Sequence, residues 1–250
     1  FILSIHPRID LSMNQTTFVA SVNHTFTTSI LVNQIPPSSN YSYALINAPE
    51  NMRVNENGMI NWIPLATQVD DYSFTLHVTD SIAKSILPYN IYVNAPPVIS
   101  SRPPELLILN KGEKFFFQLE SFDLNMNAQL QWRLLNGPQD INLNDEGVLK
   151  WTGNKLDHHS YTIELNDGID STRWEGVIYV NASPTIISKP KTVVSTNEIY
   201  EYSLSASDAN SMSPLDSSAI NQIEFALIKG PKEMIIDNNI LRWETNTNTL

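Results

Sequence analysis

Trp62, Trp151 and Trp243 recur about 90 residues apart in the same local setting, and this repeat constrains the fold more than any other feature. Tyr43, Pro49, Met52, Gly58 and Trp62 have counterparts in Trp132, Pro138, Ile141, Gly147 and Trp151. The order returns in Phe225, Pro231, Met234, Leu241 and Trp243. A second anchor, Asn94-Ala-Pro-Pro97, matches Asn181-Ala-Ser-Pro184. A period this long suits an autonomous domain rather than a solenoid unit. The division expected is 1–95, 96–182 and 183–250, with the third repeat incomplete at its C-terminal side. Proline lacks an N–H and has a fixed φ, so the joints near Ala95–Pro97 and Ala182–Pro184 should be short, extended and stiff.

Within each repeat the pattern is that of strands. Ile60 and Trp62 share a face while Asn61 points away, and Leu149 and Trp151 flank Lys150 as Leu241 and Trp243 flank Arg242. Side chains alternate across a strand, so the indoles point inward. The runs Tyr72–Val78 and Tyr161–Leu165 alternate in the same way, and no segment sustains a helical period. Turn dipeptides at Asn57-Gly58, Glu146-Gly147 and Asp167-Gly168 separate the runs. The fold class expected is all-β, a tandem array of antiparallel β-sandwich domains.

Composition narrows the function. Acidic residues outnumber basic ones 26 to 15 and the formal net charge is -11. Nucleic-acid binding depends on neutralising phosphates with Lys and Arg, so nucleic acid is not an expected partner. Cysteine is absent, which excludes disulfides and thiolate metal sites. No apolar run reaches the roughly 18 residues of a membrane helix, so membrane contact is expected only through regions outside this chain. The start at Phe1 lacks the basic and small-residue features of a signal peptide. Either a signal has been removed or the chain is an excerpt, and the missing final strands of repeat 3 lead to the expectation of a parent protein that continues.

The assembled pattern resembles the cadherin-like, dystroglycan-type and Ig-like repeats of surface proteins. Those share an aromatic-x-Leu strand, a proline, Gly-x-(Ile/Leu)-x-Trp, Tyr-x-apolar-x-(Leu/Val), Asp-Gly and a closing Val-Asn-x-Pro-Pro. Here these are Tyr43-Ala-Leu45, Pro49, Gly58–Trp62 and Val93–Pro97, then Gly147–Trp151, Tyr161–Leu165, Asp167-Gly168 and Val180–Pro184. Repeat 1 departs with Asp80-Ser81 in place of Asp-Gly, and repeat 3 with Asp237-Asn-Asn239 in place of the turn glycine. The resemblance implies an extracytoplasmic location (cell surface, secreted or periplasmic) and work in adhesion, spacing or scaffolding rather than catalysis.

Chemistry is expected at the joints. In an Ig-like topology the loops carrying Asp123 and Asn125, and Asp167 and Asp170, share the N-terminal pole of repeat 2. Asn94 reaches that pole, and Asp70 and Asp71 face it from repeat 1. Oxygen ligands converging from several directions are what Ca²⁺ requires, and cadherins stiffen joints in this way. The cadherin linker carries a run of acids that is missing here, and Asp and Asn are also favoured simply as turn formers. Both readings stand. Asp208-Ala-Asn210 lies at the matching place in repeat 3.

His158-His159 reads as a solvated loop, and no nucleophile, phosphate-binding or metalloprotease motif occurs. Asn14, Asn23, Asn40 and Asn181 open N-x-(Ser/Thr) sequons. Tyr41, Tyr92, Tyr179 and Tyr200 face outward by parity and could form a glycan-stacking row. The function expected is a non-enzymatic spacer, adhesion or scaffold module whose partner is another protein or a glycan at a surface. The alternatives are an accessory binding region of a larger surface enzyme, or a filament subunit whose open sheet is completed by a neighbour's strand.

Overall fold

The structure, a computed structural model of the chain, describes residues 9–12, 15–33, 40–80, 83–210 and 223–245. Repeat 1 contains β1 (Asp10–Ser12), β2 (Thr17–Ser21), β3 (Phe26–Ser29), β4 (Leu31–Asn33), β5 (Ser42–Ile46), β6 (Arg53–Val54), β7 (Met59–Trp62), β8 (Asp71–Thr79) and β9 (Lys84–Asn94). One sheet runs β2-β9-β8-β5, the other β3-β7-β6, and β1 pairs with β4.

Repeat 2 reproduces this with β10 (Val98–Ser101), β11 (Leu106–Asn110), β12 (Lys114–Gln118), β13 (Glu120–Phe122), β14 (Gln131–Asn136), β15 (Asn142–Leu143), β16 (Val148–Thr152), β17 (Asp157–Asn166) and β18 (Ser171–Asn181). Its sheets run β11-β18-β17-β14 and β12-β16-β15, and β10 pairs with β13. In repeat 3, β19 (Thr185–Ile186) pairs with β21 (Ala206–Ser207). The strands β20 (Ile199–Ser203), β22 (Ile235–Asp237) and β23 (Ile240–Glu244) form a sheet in the order β20-β23-β22. Among the described residues no strand pairing crosses 95–97 or 182–184.

Strand parity places the cores as the alternation requires. Ile60, Trp62, Phe74, Leu76, Val78, Ile91 and Val93 are buried in repeat 1, while Leu149, Trp151, Tyr161, Ile163, Leu165, Ile178 and Val180 are buried in repeat 2. Removing each large apolar side chain from water contributes roughly 1.5–3 kcal/mol. The Trp62 Nε1–H donates to the Glu50 carbonyl at 3.2 Å and the Trp151 Nε1–H to the Gln139 carbonyl at 3.0 Å, so both indoles bond the same turn of their own repeat. Trp243 occupies the same place on β23 but is half-buried, and its buried Nε1 has no hydrogen-bond partner.

The sequence dictates that turn in all three copies. Met52, Ile141 and Met234 each donate their N–H to the carbonyl of the proline three residues earlier at 3.2 Å. The residue between, Asn51, Asp140 or Glu233, takes a positive φ of 67°, 68° or 69°. The glycine before each tryptophan strand is required for two reasons. Gly58 and Gly147 have φ of 75° and 79°, and a Cβ there would meet the Tyr43 ring at 2.9 Å or Trp132 Nε1 at 2.8 Å. The repeated aromatic and the repeated glycine are one packing unit. In repeat 3 the same backbone position is taken by Asn239 with φ 62°, asparagine being a residue that tolerates the left-handed region.

One feature departs from an all-antiparallel sandwich. β2 runs parallel to β9, and β11 parallel to β18. After the two-stranded pairing of β1 with β4, or of β10 with β13, the chain continues into β2 or β11, which lies beside the last strand of the four-stranded sheet and covers that strand's edge.

Candidate functional site: the inter-repeat joints

The first joint is a partly buried polar network. Asn94 ends β9, and its Nδ2 donates to Asp167 Oδ2 at 2.8 Å and to Asp170 Oδ2 at 3.0 Å. Both aspartates lie on the tight β17–β18 turn, which Asp167 builds by accepting the N–H groups of Ile169 and Asp170 on Oδ1, each at 2.6 Å. Ser21, at the end of β2, donates to Asp170 Oδ2 at 2.7 Å. Thr172 donates to the Pro97 carbonyl at 2.5 Å.

From the opposite side, the β13–β14 loop reaches the linker itself. Asn125 Nδ2 donates to the Val93 carbonyl at 2.9 Å, and its Oδ1 accepts the Ala95 N–H at 2.8 Å. Asp123 Oδ1 accepts the Asn125 N–H at 2.7 Å and so holds the loop in position.

Of the predicted set, the structure thus joins Asn94, Asp123, Asn125, Asp167 and Asp170. Asp71 pairs with Tyr92 across β8 and β9, and its charge acts on that phenol. Asp70 turns away, its Oδ1 accepting the Asp71 N–H, while its own carbonyl accepts the Val93 N–H. Burial raises the Tyr92 pKa; its hydrogen bond to Asn125 lowers it, and Asp123, Asp71 and Asp167 raise it further. The Asp123 carboxyl is also held above the ordinary range, by burial first and then by Asp167, against the lowering effect of the Asn125 N–H. Its second oxygen, Oδ2, is buried without a partner.

The second joint carries the same motif. Asn210 Nδ2 donates to the Val180 carbonyl at 2.9 Å, its Oδ1 accepts the Ala182 N–H at 2.6 Å, and Asp208 Oδ1 accepts the Asn210 N–H at 2.8 Å. Asn94, Asn125, Asp208 and Asn210 are buried, and they account for most of the buried polar side chains in the described residues. Buried polar groups are costly unless paired, so this concentration marks the joints as ordered contacts rather than swivels.

Calcium takes six to eight converging oxygens. Here an amide N–H stands between the Asp167 and Asp170 carboxylates, and no group of three His, Cys, Asp or Glu among the described residues is arranged to hold a metal ion. Asp123 Oδ2 is buried with no hydrogen-bond partner. The donor set as arranged does not fit the ion.

Several outward assignments need correction. His158 and His159 lie on β17, not in a loop, and they face opposite ways. His158 packs on Tyr179 with ring centroids 4.6 Å apart, and His159 on Trp151 at 5.1 Å. Tyr179 is buried despite its parity, because the strand end that carries it is covered beside the joint. Tyr92 is half-buried in the first joint, Tyr41 packs on the core of repeat 1, and the Tyr200 hydroxyl donates to the Lys191 carbonyl at 3.0 Å. These four tyrosines form no exposed row.

Of the sequons, Asn23 is exposed with φ 62°, Asn40 is exposed, and Asn181 is half-buried with its Oδ1 enclosed. Asn14 lies outside the described residues. Sequence reasoning missed Ser21 and Thr172 at the joint, since a single hydroxyl carries no signature. It also missed an open groove of about 470 Å³ on the outer face of repeat 2, where exposed Phe116 lies between Lys114, Lys150, Asp140 and Asn142.

No protein-family model matches the chain, and no curated protein matches it. Solved structures do. The N-terminal eight Ig domains of Down Syndrome Cell Adhesion Molecule align over 96% of this chain and 33% of that one, with a TM-score of 0.58 and 11% identity. Drosophila OTK extracellular domains 3–5 align over 69% of this chain and 62% of that one, with a TM-score of 0.50 and 13% identity. The chain spans less than two thirds of either structure. At such identity the likeness speaks to fold alone, and the fold it establishes is that of tandem immunoglobulin-like β-sandwich repeats.

Proposed function

We propose that this chain is a non-enzymatic, extracytoplasmic module that holds its attachments at a set distance and offers a contact surface to another protein. The observation carrying this reading is the joint between repeats 1 and 2. There the buried polar side chains of one repeat bond the backbone and side chains of the next, from both sides of a short Pro-containing linker. Interfaces between domains of one chain ordinarily permit relative motion. Fixing two sandwiches end to end serves reach and orientation rather than turnover. The groove around Phe116 supplies a contact site with an apolar centre and charged rim, the anatomy of a protein-binding patch. The fold similarity to the Ig domains of a cell adhesion molecule and to the extracellular domains of OTK is in keeping with this role.

The location is tested by inserting an epitope in the exposed turn at Gly112, where added atoms meet nothing within 4 Å, and staining the native cells. Antibody should bind intact cells. Staining only after permeabilisation overturns the reading. The contact surface is tested by immobilising the chain and its Phe116→Ser variant against the proteins of the same cell surface, with binding expected only to the former.

A further inference from the structure

The joints suit calcium by resemblance but not by geometry, and the disagreement is specific. In an extended strand the carbonyl of one residue and the N–H of the residue two further on point the same way, and a ladder partner binds both. Asn125 takes the place of that partner. Its amide donates to the Val93 carbonyl and accepts the Ala95 N–H, while Asn210 does the same to Val180 and Ala182. In both loops an aspartate two residues earlier accepts the asparagine's own N–H, the turn that Asp favours, and so presets the amide. The contact is repeated residue for residue at two places in the chain.

At the first joint a second contact closes the other side. Asn94 directs its amide N–H between Asp167 and Asp170, where a cation would otherwise sit, and Asp167 Oδ1 is already engaged by two backbone N–H groups. A calcium ion would need Asn94 to turn out and that turn to open.

We propose that the joints of this chain are locked by a side-chain amide clamp that needs no metal: an Asp-x-Asn loop of each following repeat binds the linker backbone as an extra rung of strand. Neutral donors set the spacing of the acids, and the linker is read through its backbone. The clamp concerns the joints alone and holds whether or not the chain works as a surface spacer, so failure of one reading leaves the other standing.

The absence of native cysteine makes the test direct. Spin labels on Glu56→Cys and Glu146→Cys, both exposed turn positions in repeats 1 and 2, report the distance across the joint in the whole chain. One narrow distance distribution is expected, the same in chelator and in millimolar Ca²⁺. Asn125→Ala, and Asn125→Asp, which keeps the acceptor and loses the donor, should each roughly double its width as the repeats regain ordinary inter-domain freedom. Circular dichroism checks that the sandwiches remain folded. Should Asn125→Ala not fold, Asn125→Asp carries the test alone. A distribution that narrows only when calcium is added overturns the proposal, as does an Asn125→Asp distribution superimposable on that of the parent.

Discussion

The two joints share one half of their construction, and the other half is seen at the first alone. At both, an asparagine from the following repeat grips the linker backbone through the same pair of hydrogen bonds. At the first, the strand-ending Asn94 is also tied to Asp167 and Asp170. At the second, its counterpart Asn181 has a buried Oδ1 without a partner among the described residues. The two devices are the clamp and the cross-turn contact, and the turn of repeat 3 that would meet Asn181, matching Asp167–Asp170, falls after Leu250. The first sets the path of the chain between repeats, and the second holds the next repeat's hairpin against the end of the previous one.

Repeat 2 contributes to both joints, so removing its core should break both at once. Trp151→Ala is expected to cost about 3–5 kcal/mol, read as loss of the repeat 2 transition in a thermal melt. An unshifted melt would show that Trp151 is not the interior anchor described here. Next in size are the clamps. Asn125→Ala and Asn210→Ala each leave a linker carbonyl and N–H unpaired, at roughly 1–3 kcal/mol per buried group. Urea unfolding should show comparable losses for the two variants. A large loss at Asn125 with none at Asn210 would mean that the joints only look alike.

The cross-turn contact comes third. Asn94→Ala should cost about 1–2 kcal/mol as charged acceptors lose their donor. An Asn94→Ala loss equal to that of Asn125→Ala in denaturant titrations would erase the distinction between the two contacts.

The smallest expected effect is a pH slope. Asp123 is held above the ordinary carboxyl range in the folded chain, so between the unfolded and the raised folded pKa the native state binds the proton more tightly. Stability therefore decreases as pH rises through that interval and is level above it. Asp123→Asn keeps an acceptor for the Asn125 N–H and removes this contribution. The two proteins' stability curves should converge at low pH and separate as pH rises, with the variant the more stable. Parallel curves would argue against the shift.

Much of this architecture can be read from residue order. Period-two alternation around Trp62 and Trp151 identified the inward face, because one face of each sheet is buried and a one-residue slip would expose it. The prolines after Asn94 and Asn181 pointed to the joints, and Asp-x-Asn at matching places pointed to the loops beside them. Other features leave no such trace. Nothing in residues 10–21 says that the chain will change sheets between β1 and β2, so the parallel pair was illegible. Parity put Tyr179 outside, but parity describes a strand's middle and not an end covered by its neighbour His158. At the joint, the sequence showed oxygen-bearing side chains without showing that an amide would present its nitrogen. That single rotation separates a hydrogen-bonded lock from a cation cage.

The parallel pairing of β2 with β9, and of β11 with β18, has a mechanical consequence. Tension applied along the chain enters each sandwich near one of these strands and leaves by the other. Because the two run the same way, the load slides them past each other along their length. All five residues of the shorter strand then resist together, whereas an antiparallel terminal pair would come apart one bond at a time, like a zip.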